Sequence, residues 1–321
     1  MRDMSPTDSA SLTIVRRREQ LDPVDDRRRR RSVASGVWFR VASGSYVRTA
    51  EWRVLSPIEQ HRVRVSEALR RIQPGAVISH RAAAAHHDID VLGAWPDYVD
   101  VIVDHASGGR STGAIRRHAT GLAGVQRESL GDHEVTTPAQ TALDLARTLP
   151  FVVAVTAVDQ AIWTGRPGGA LTTLEEIVGL LDVNRPRRGD AQARRVLAFA
   201  NPESSNVRES QNFVVVVSLG FPRPLVQYRR ILRSGRLAIA DLYFEEQDHW
   251  CEIDGHGKYL SPEFGAERDP AQIVIDEKNR ENEIRREVRG FSRWEAMDAD
   301  RPRDIYDILT QDGLRSFKPR P

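Results

Sequence analysis

Three carboxylates in the last third of the chain are spaced for metal-assisted chemistry. Glu252 and Asp254 stand two apart in the β-forming run Trp250-Cys251-Glu252-Ile253-Asp254, so they share one strand face while Cys251 and Ile253 share the other. Asp241 lies eleven residues before Glu252, in the run Leu237 to Phe244, at the separation of cross-strand partners in a hairpin that turns at Gln247-Asp248. Crowded carboxylates repel one another unless a cation lies among them, and hard oxygen ligands suit Mg2+ or Mn2+. Such an ion can polarise a phosphate and lower the pKa of an attacking water.

The elements that must carry these residues follow from pattern and punctuation. The segment from Ser205 to Gly220 is expected to be a helix on its length and terminal glycine, although its four valines at 214–217 favour a strand locally. Strands are expected at Val226–Tyr228, Leu237–Phe244 and Trp250–Asp254. A helix over about 270–289 and a strand at Phe291–Glu295 complete an α-β-β-β-α-β order. On that second helix Glu277 and Glu281 fall on one stripe with Ile284 and Val288, with Lys278 at its edge. The stripe should face the sheet, where acidic groups need partners. Pairing along the helix, Glu277 with Arg280 and Glu281 with Arg285, accounts for them equally well.

The charge layout points to a second activity. Residues 1–50 contain 11 Arg against 6 Asp or Glu, whereas residues 201–321 contain 19 Lys or Arg against 22 Asp or Glu. An arginine excess at one end is the footprint of phosphate contact, and also of a solvated basic tail. Here Ser11–Gln20 reads as a short helix broken by Asp22-Pro23. A second helix runs from near Asp25 through Arg27, Arg28, Arg30 and Arg31 to a stop at Gly36. Val37–Val41 and Ser45–Arg48 around Gly44 read as a hairpin carrying Arg40 and Arg48. Helix, turn, basic helix and hairpin are the order of a winged helix-turn-helix, in which the second helix enters the major groove of double-stranded DNA and the hairpin touches the flanking backbone.

Between these ends, residues 51–200 read as α/β. Helices are expected at Pro57–Arg71 and Ser79–His87, strands at Val99–Val103 and Ile115–His118, and a helix opened by Thr137-Pro138. His80, His86 and His87 lack the spacing of a zinc site, and His86 and His87 are expected on different helix faces. Arg116, Arg117 and His118 could hold a phosphate or simply end an exposed strand. Arg185 to Gly189 is the expected linker.

Two resemblances sharpen these readings. The pattern from Val33 to Val47, with Gly36, Trp38, Arg40, Val41, Gly44, Tyr46 and Val47, is similar to the N-terminal winged helix of AbiEi-type antitoxins, and the α/β stretch after it is similar to the region that follows in those proteins. That family implies DNA binding, autorepression and a cognate toxin as partner. Gly235-Arg236, Ala240-Asp241, Glu252-Ile253-Asp254-Gly255, Lys258-Tyr259 and Glu277-Lys278-x-Arg280-Glu281 resemble a family related to the very-short-patch-repair endonucleases, within the PD-(D/E)XK superfamily. That resemblance covers most of residues 203–298. It implies that Asp241 and Glu252 hold the metal, with Asp254 an additional ligand and Glu209 near the site. The superfamily expects a lysine where Asp254 stands, so Lys258 or Lys278 would supply the cation, with His256 as a further general base.

The expected architecture is therefore a multidomain α/β (α+β) protein. It has a winged helix-turn-helix over 1–50, a central α/β domain over 51–200, and a restriction-endonuclease-like mixed sheet flanked by helices over 201–321. A Mg2+-dependent DNA endonuclease and an AbiEi-type autorepressor with a silent nuclease-like domain both remain open. The single cysteine, Cys251, excludes an intrachain disulfide and a multi-cysteine zinc site. The lack of a long apolar run or a secretory h-region predicts no membrane span and a cytoplasmic location.

Overall fold

The computed structural model describes residues 12–16, 31–72, 74–104, 111, 113–183, 187–254 and 270–321. It is a mixed α/β protein of two compact units, one formed by residues 1–145 with 179–186, the other by residues 146–178 with 187–321. No helix among the described residues is long and apolar enough to cross a membrane.

The first unit begins with β1 (Val15–Arg16), β2 (Trp38–Ala42) and β3 (Ser45–Arg48), which form a sheet in the order β1-β3-β2. The hairpin of β2 and β3 is the expected one, but the helix expected over Ser11–Gln20 is extended where it is described. Leu12 and Ile14, two apart, both pack on Val41, Val47 and Trp52. That is the period of a strand, and the β-branched run Thr13-Ile14-Val15 favours it over a helix. Arg16 is also spent internally: its guanidinium binds buried Glu67 at 2.7 Å, and the Ser45 hydroxyl donates to the same carboxylate at 2.6 Å. Residues 31–34 are helical, whereas 17–30 lie outside the described residues.

Next come α1 (Thr49–Val54) and α2 (Pro57–Leu69), the latter started by Pro57 and a reciprocal Ser56–Glu59 capping box. A five-stranded sheet follows, built from β4 (Val77–Ile78), β5 (Val99–Ile102), β6 (Ile115–His118), β7 (Arg127–Leu130) and β8 (His133–Thr136) in the order β6-β5-β4-β8-β7. Helix α2 and helix α3 (His80–His86) cover it through Val65, Ala68, Ala82 and Ala83, packed on Ile78, Val99, Val101 and Val135. Helix α4 (Pro138–Thr148) starts at Thr137, whose hydroxyl accepts from Gln140 N–H as expected of a cap.

In the second unit α5 (Phe151–Ile162) and α7 (Asp190–Phe199) pack around α8 (Val207–Ser218); between them in the chain lies α6 (Leu174–Val183). The valine run of α8 is helical, as expected. Asn206 caps it by accepting from the N–H groups of Arg208 and Glu209, and Val214 to Val216 are buried. Gly220 ends it at φ +88°, where an added Cβ would lie 2.7 Å from the Lys318 side chain. Strands β9 (Leu225–Ile231), β10 (Leu237–Phe244), β11 (His249–Asp254) and β12 (Gly290–Glu295) stand side by side in that order. The first three are antiparallel and β12 is parallel to β11, joined to it through α9 (Pro270–Glu287). Helix α10 (Pro302–Gln311) follows a short 3-10 turn. Ile284 of α9 packs with Ala238, Ala240, Trp250 and Phe291 on one face of the sheet. On the other face Asn212 of α8 accepts from the Trp294 indole at 2.7 Å.

Candidate active site

The acidic residues gather at the end of β11. Glu252 and Asp254 face the α9 side, and their neighbours in the parallel register are Arg293 and Glu295 of β12. Glu252 is buried at 5% exposure. It lies between the Trp250 indole, which donates to Oε1 at 3.3 Å, and Arg280 of α9, which donates to Oε2 at 3.1 Å. Asp254 takes Arg293 in a two-pronged pair at 2.6 and 2.8 Å. Arg293 also donates to Glu281 at 3.1 Å and reaches Glu252 at 3.7 Å.

The acidic stripe of α9 does both things its spacing allowed. Glu277 accepts from Arg280 at 2.8 Å and Glu281 from Arg285 at 2.7 Å, along the helix, while both also face Arg293 across the sheet. Burial pushes the Glu252 carboxyl up, and Arg280 and Arg293 pull it only partly back. The Arg280 hydrogen bond holds Glu277 below its ordinary value.

Asp241 is placed by an irregularity in β10. Ala238, Ala240 and Tyr243 all join the same apolar cluster, so strand alternation slips by one between 240 and 243. Asp241 and Gln227 are the positions missing from the β9–β10 pairing, and Gln227 has φ +51°. The Asp241 carboxylate accepts the Gln227 amide at 3.4 Å and the Ile253 N–H at 2.7 Å, so it docks on β11 between Glu252 and Asp254.

Other expected residues have different surroundings. Lys278 is exposed on α9 and makes no hydrogen bond or ion pair among the described residues. The cations placed at Glu252 are instead Arg280 and Arg293. Arg280 belongs to the Glu277-Lys278-x-Arg280-Glu281 motif, whereas the sequence signal for Arg293 is only its parity with Phe291 on β12. Glu209 is a capping residue, accepting the Ser205 N–H and hydroxyl at 3.2 and 2.7 Å. Lys258 and His256, like Arg27, Arg28 and Arg30, lie outside the described residues. Cys251 is fully buried, and burial pushes its thiol up.

In the first unit Arg31 is exposed in the 31–34 turn. Arg40 and Arg48 are exposed on the hairpin; Arg40 is opposite Tyr46, and Arg48 lies over Trp38, its partner across the strands, at 5.2 Å from the ring centroid. Arg116 and His118 are not left for a phosphate. Both bind Asp100, which is fully buried, at 2.7 and 2.8 Å. His86 and His87 do not diverge as helical spacing predicts, since their rings meet edge-on at 4.8 Å.

No protein-family model matches the chain. It is similar to two uncharacterized proteins of Mycobacterium tuberculosis, one from strain CDC 1551 / Oshkosh and one from strain ATCC 25618 / H37Rv. Each is 30% identical over 153 residues, which are 48% of this chain and 52% of the relative. The match thus spans about half the length of each curated relative.

Proposed function

We propose that this protein binds double-stranded DNA through its N-terminal hairpin and preceding basic segment, and hydrolyses DNA phosphodiesters at the acidic end of its C-terminal sheet with Mg2+ or Mn2+. One observation carries the reading: neighbouring elements bring four acids to the end of β11, Asp241 of β10 on the Ile253 N–H, Glu252 and Asp254 of β11 itself, and Glu277 of α9 through the Arg280 it shares with Glu252. The α-β-β-β-α-β order expected from the sequence is present, with β12 parallel to β11, and it sets the acids of β10 and β11 on adjoining strands.

The donor chemistry suits a hard divalent cation, but among the described residues no three of these acids lie close enough together to share one as they stand. All candidates are carboxylate oxygens, the donor type that Mg2+ and Mn2+ take. Asp241 and Glu252 would hold the ion, with Asp254 as a further donor. When bound, it supplies phosphate polarisation and a more acidic water. Arg280 is the counter-charge it would displace from Glu252, and Asp254 would join as a donor only by exchanging Arg293 for the ion. Lys278 on the same helix, or Lys258, would steady charge building on the phosphate. On the hairpin, exposed Arg40 and Arg48 beside Tyr46 and Trp38 suit contact with a nucleic-acid backbone.

Incubation of plasmid DNA with the purified chain and Mg2+ or Mn2+ tests this reading. Cleavage is expected, with loss in both Asp241→Ala and Glu252→Ala. Cleavage that survives both substitutions removes these residues from the chemistry.

A second reading has its own support. Each oxygen of Glu252 and Asp254 already has an arginine, and Asp254 stands where the superfamily expects lysine. A silent nuclease-like unit attached to an AbiEi-type autorepressor, with a toxin as its protein partner, would look the same. It predicts intact plasmid together with a gel shift on the DNA upstream of the protein's own gene.

A further inference from the structure

The end of α3 and strand β7 bring together three side chains that play no part in the acidic site. His86 is the last residue of α3 and His87 its C-cap, with φ −84° and ψ 5°. This departure from helical ψ lets two consecutive imidazoles meet, with planes at 63°. Glu128 of β7 approaches the pair, its Oε1 3.9 Å from His87 Nδ1. One ligand atom from each of the three residues lies within 4.8 Å of the others.

The hydrogen bonding around His87 fixes which nitrogen is available. Its Nε2 lies 2.7 Å from the Thr136 carbonyl oxygen, which can only accept, so Nε2 carries the proton. Nδ1 therefore turns its lone pair toward Glu128. A metal-binding imidazole is held in just this way, its second nitrogen donating to a backbone carbonyl that sets tautomer and ring orientation. The Thr136 carbonyl is itself anchored, accepting from the Thr141 hydroxyl at 3.2 Å.

His86 makes no hydrogen bond among the described residues, so its ring is not committed elsewhere. The nearby cation, Arg62, does not compete: its Nε donates to the Ala85 carbonyl at 2.7 Å, and its other arm binds Asp88.

We propose that His86, His87 and Glu128 form a binding site for a divalent transition-metal ion of the zinc class, separate from the acidic site and different in donor chemistry. Zinc takes imidazole nitrogen and carboxylate oxygen at roughly 2.0–2.2 Å, which sets tetrahedral ligand atoms roughly 3.3–3.5 Å apart. The His87–Glu128 pair, at 3.9 Å, is near that spacing already. Two nitrogen donors disfavour Mg2+, which prefers oxygen. The ion would tie the end of α3 to β7, which are about forty residues apart in the chain.

Titration of the untagged full-length chain with Co2+, followed by visible absorption, tests the site. One equivalent is expected to produce ligand-field bands, with competition by Zn2+. Glu128→Gln, on an exposed side chain, should weaken binding by at least about tenfold, and His86→Ala should abolish the bands. Glu252→Gln should leave them unchanged, which separates this site from the acidic one. Absence of bands in the unmodified chain, or bands that persist at the same affinity in Glu128→Gln or His86→Ala, overturns the proposal.

Discussion

Arg293 stands beside Glu252 in the parallel pairing of β11 with β12, yet its two short bonds go to Asp254 and it reaches Glu252 only at 3.7 Å. The planar guanidinium has enough donors to hold Asp254 at one edge and Glu281 at another. It is thus the knot that joins sheet and helix at the acidic site, while Arg280 serves Glu252.

Replacing that knot by an apolar side chain of similar length should be costly. Arg293→Met is expected to lower unfolding free energy by roughly 2–4 kcal/mol, since it leaves buried Glu252 with one counter-charge and strips Asp254 of its own. The loss should shrink as the pH falls through the carboxylate range, because protonated Glu252 needs no counter-charge. Urea denaturation at several pH values measures it. A change below about 0.5 kcal/mol at neutral pH would mean that the network contributes nothing to stability.

His61 makes stability pH-dependent in the first unit. Burial pushes its imidazole down from 6.5 to about 4; Nδ1 donates to the Pro96 carbonyl at 3.1 Å, and buried Nε2 has no hydrogen-bond partner among the described residues. The unfolded chain therefore takes up a proton at higher pH than the folded one. Its contribution to stability is complete above about pH 6.5 and is lost as the pH falls toward 4, to a total of roughly 3 kcal/mol. His61→Asn keeps a donor near the Nδ1 position and cannot titrate, so its stability should depend less steeply on pH across that window. Equal slopes for the two proteins would refute the assignment.

DNA affinity should depend on salt through the hairpin. Each phosphate contact adds roughly 0.9 to the slope of log K against log salt. Arg40→Ala together with Arg48→Ala should reduce that slope by about two and weaken binding to all sequences alike. Fluorescence anisotropy between low and moderate salt reads both quantities. An unchanged slope would place the nucleic-acid contact elsewhere on the chain.

Much of the C-terminal sheet was readable because its signals are local. Leu237–Phe244 and Trp250–Asp254 have strand composition, and the length of the segment from Ser205 with its terminal Gly220 outweighs four valines in α8. The pairing of Glu252 with Asp254 on one face follows from alternation alone. The position of Asp241 does not, because a slip in β10 and the positive φ of Gln227 turn its carboxylate onto the Ile253 N–H. Residues 12–16 failed in a similar way: the run is short enough to suit either period, and only Val41, Val47 and Trp52 select the strand.

By itself the sequence determined the α-β-β-β-α-β order, the hairpin with its two exposed arginines, and the set of acids able to meet, all of which rest on periodicity and capping within a few residues. The tertiary structure decided which cations answer those acids and which histidines converge. Arg293 reaches Asp254 from another strand, and Glu128 reaches His87 from another sheet position; both meetings depend on contacts made across about forty residues, which no local period encodes.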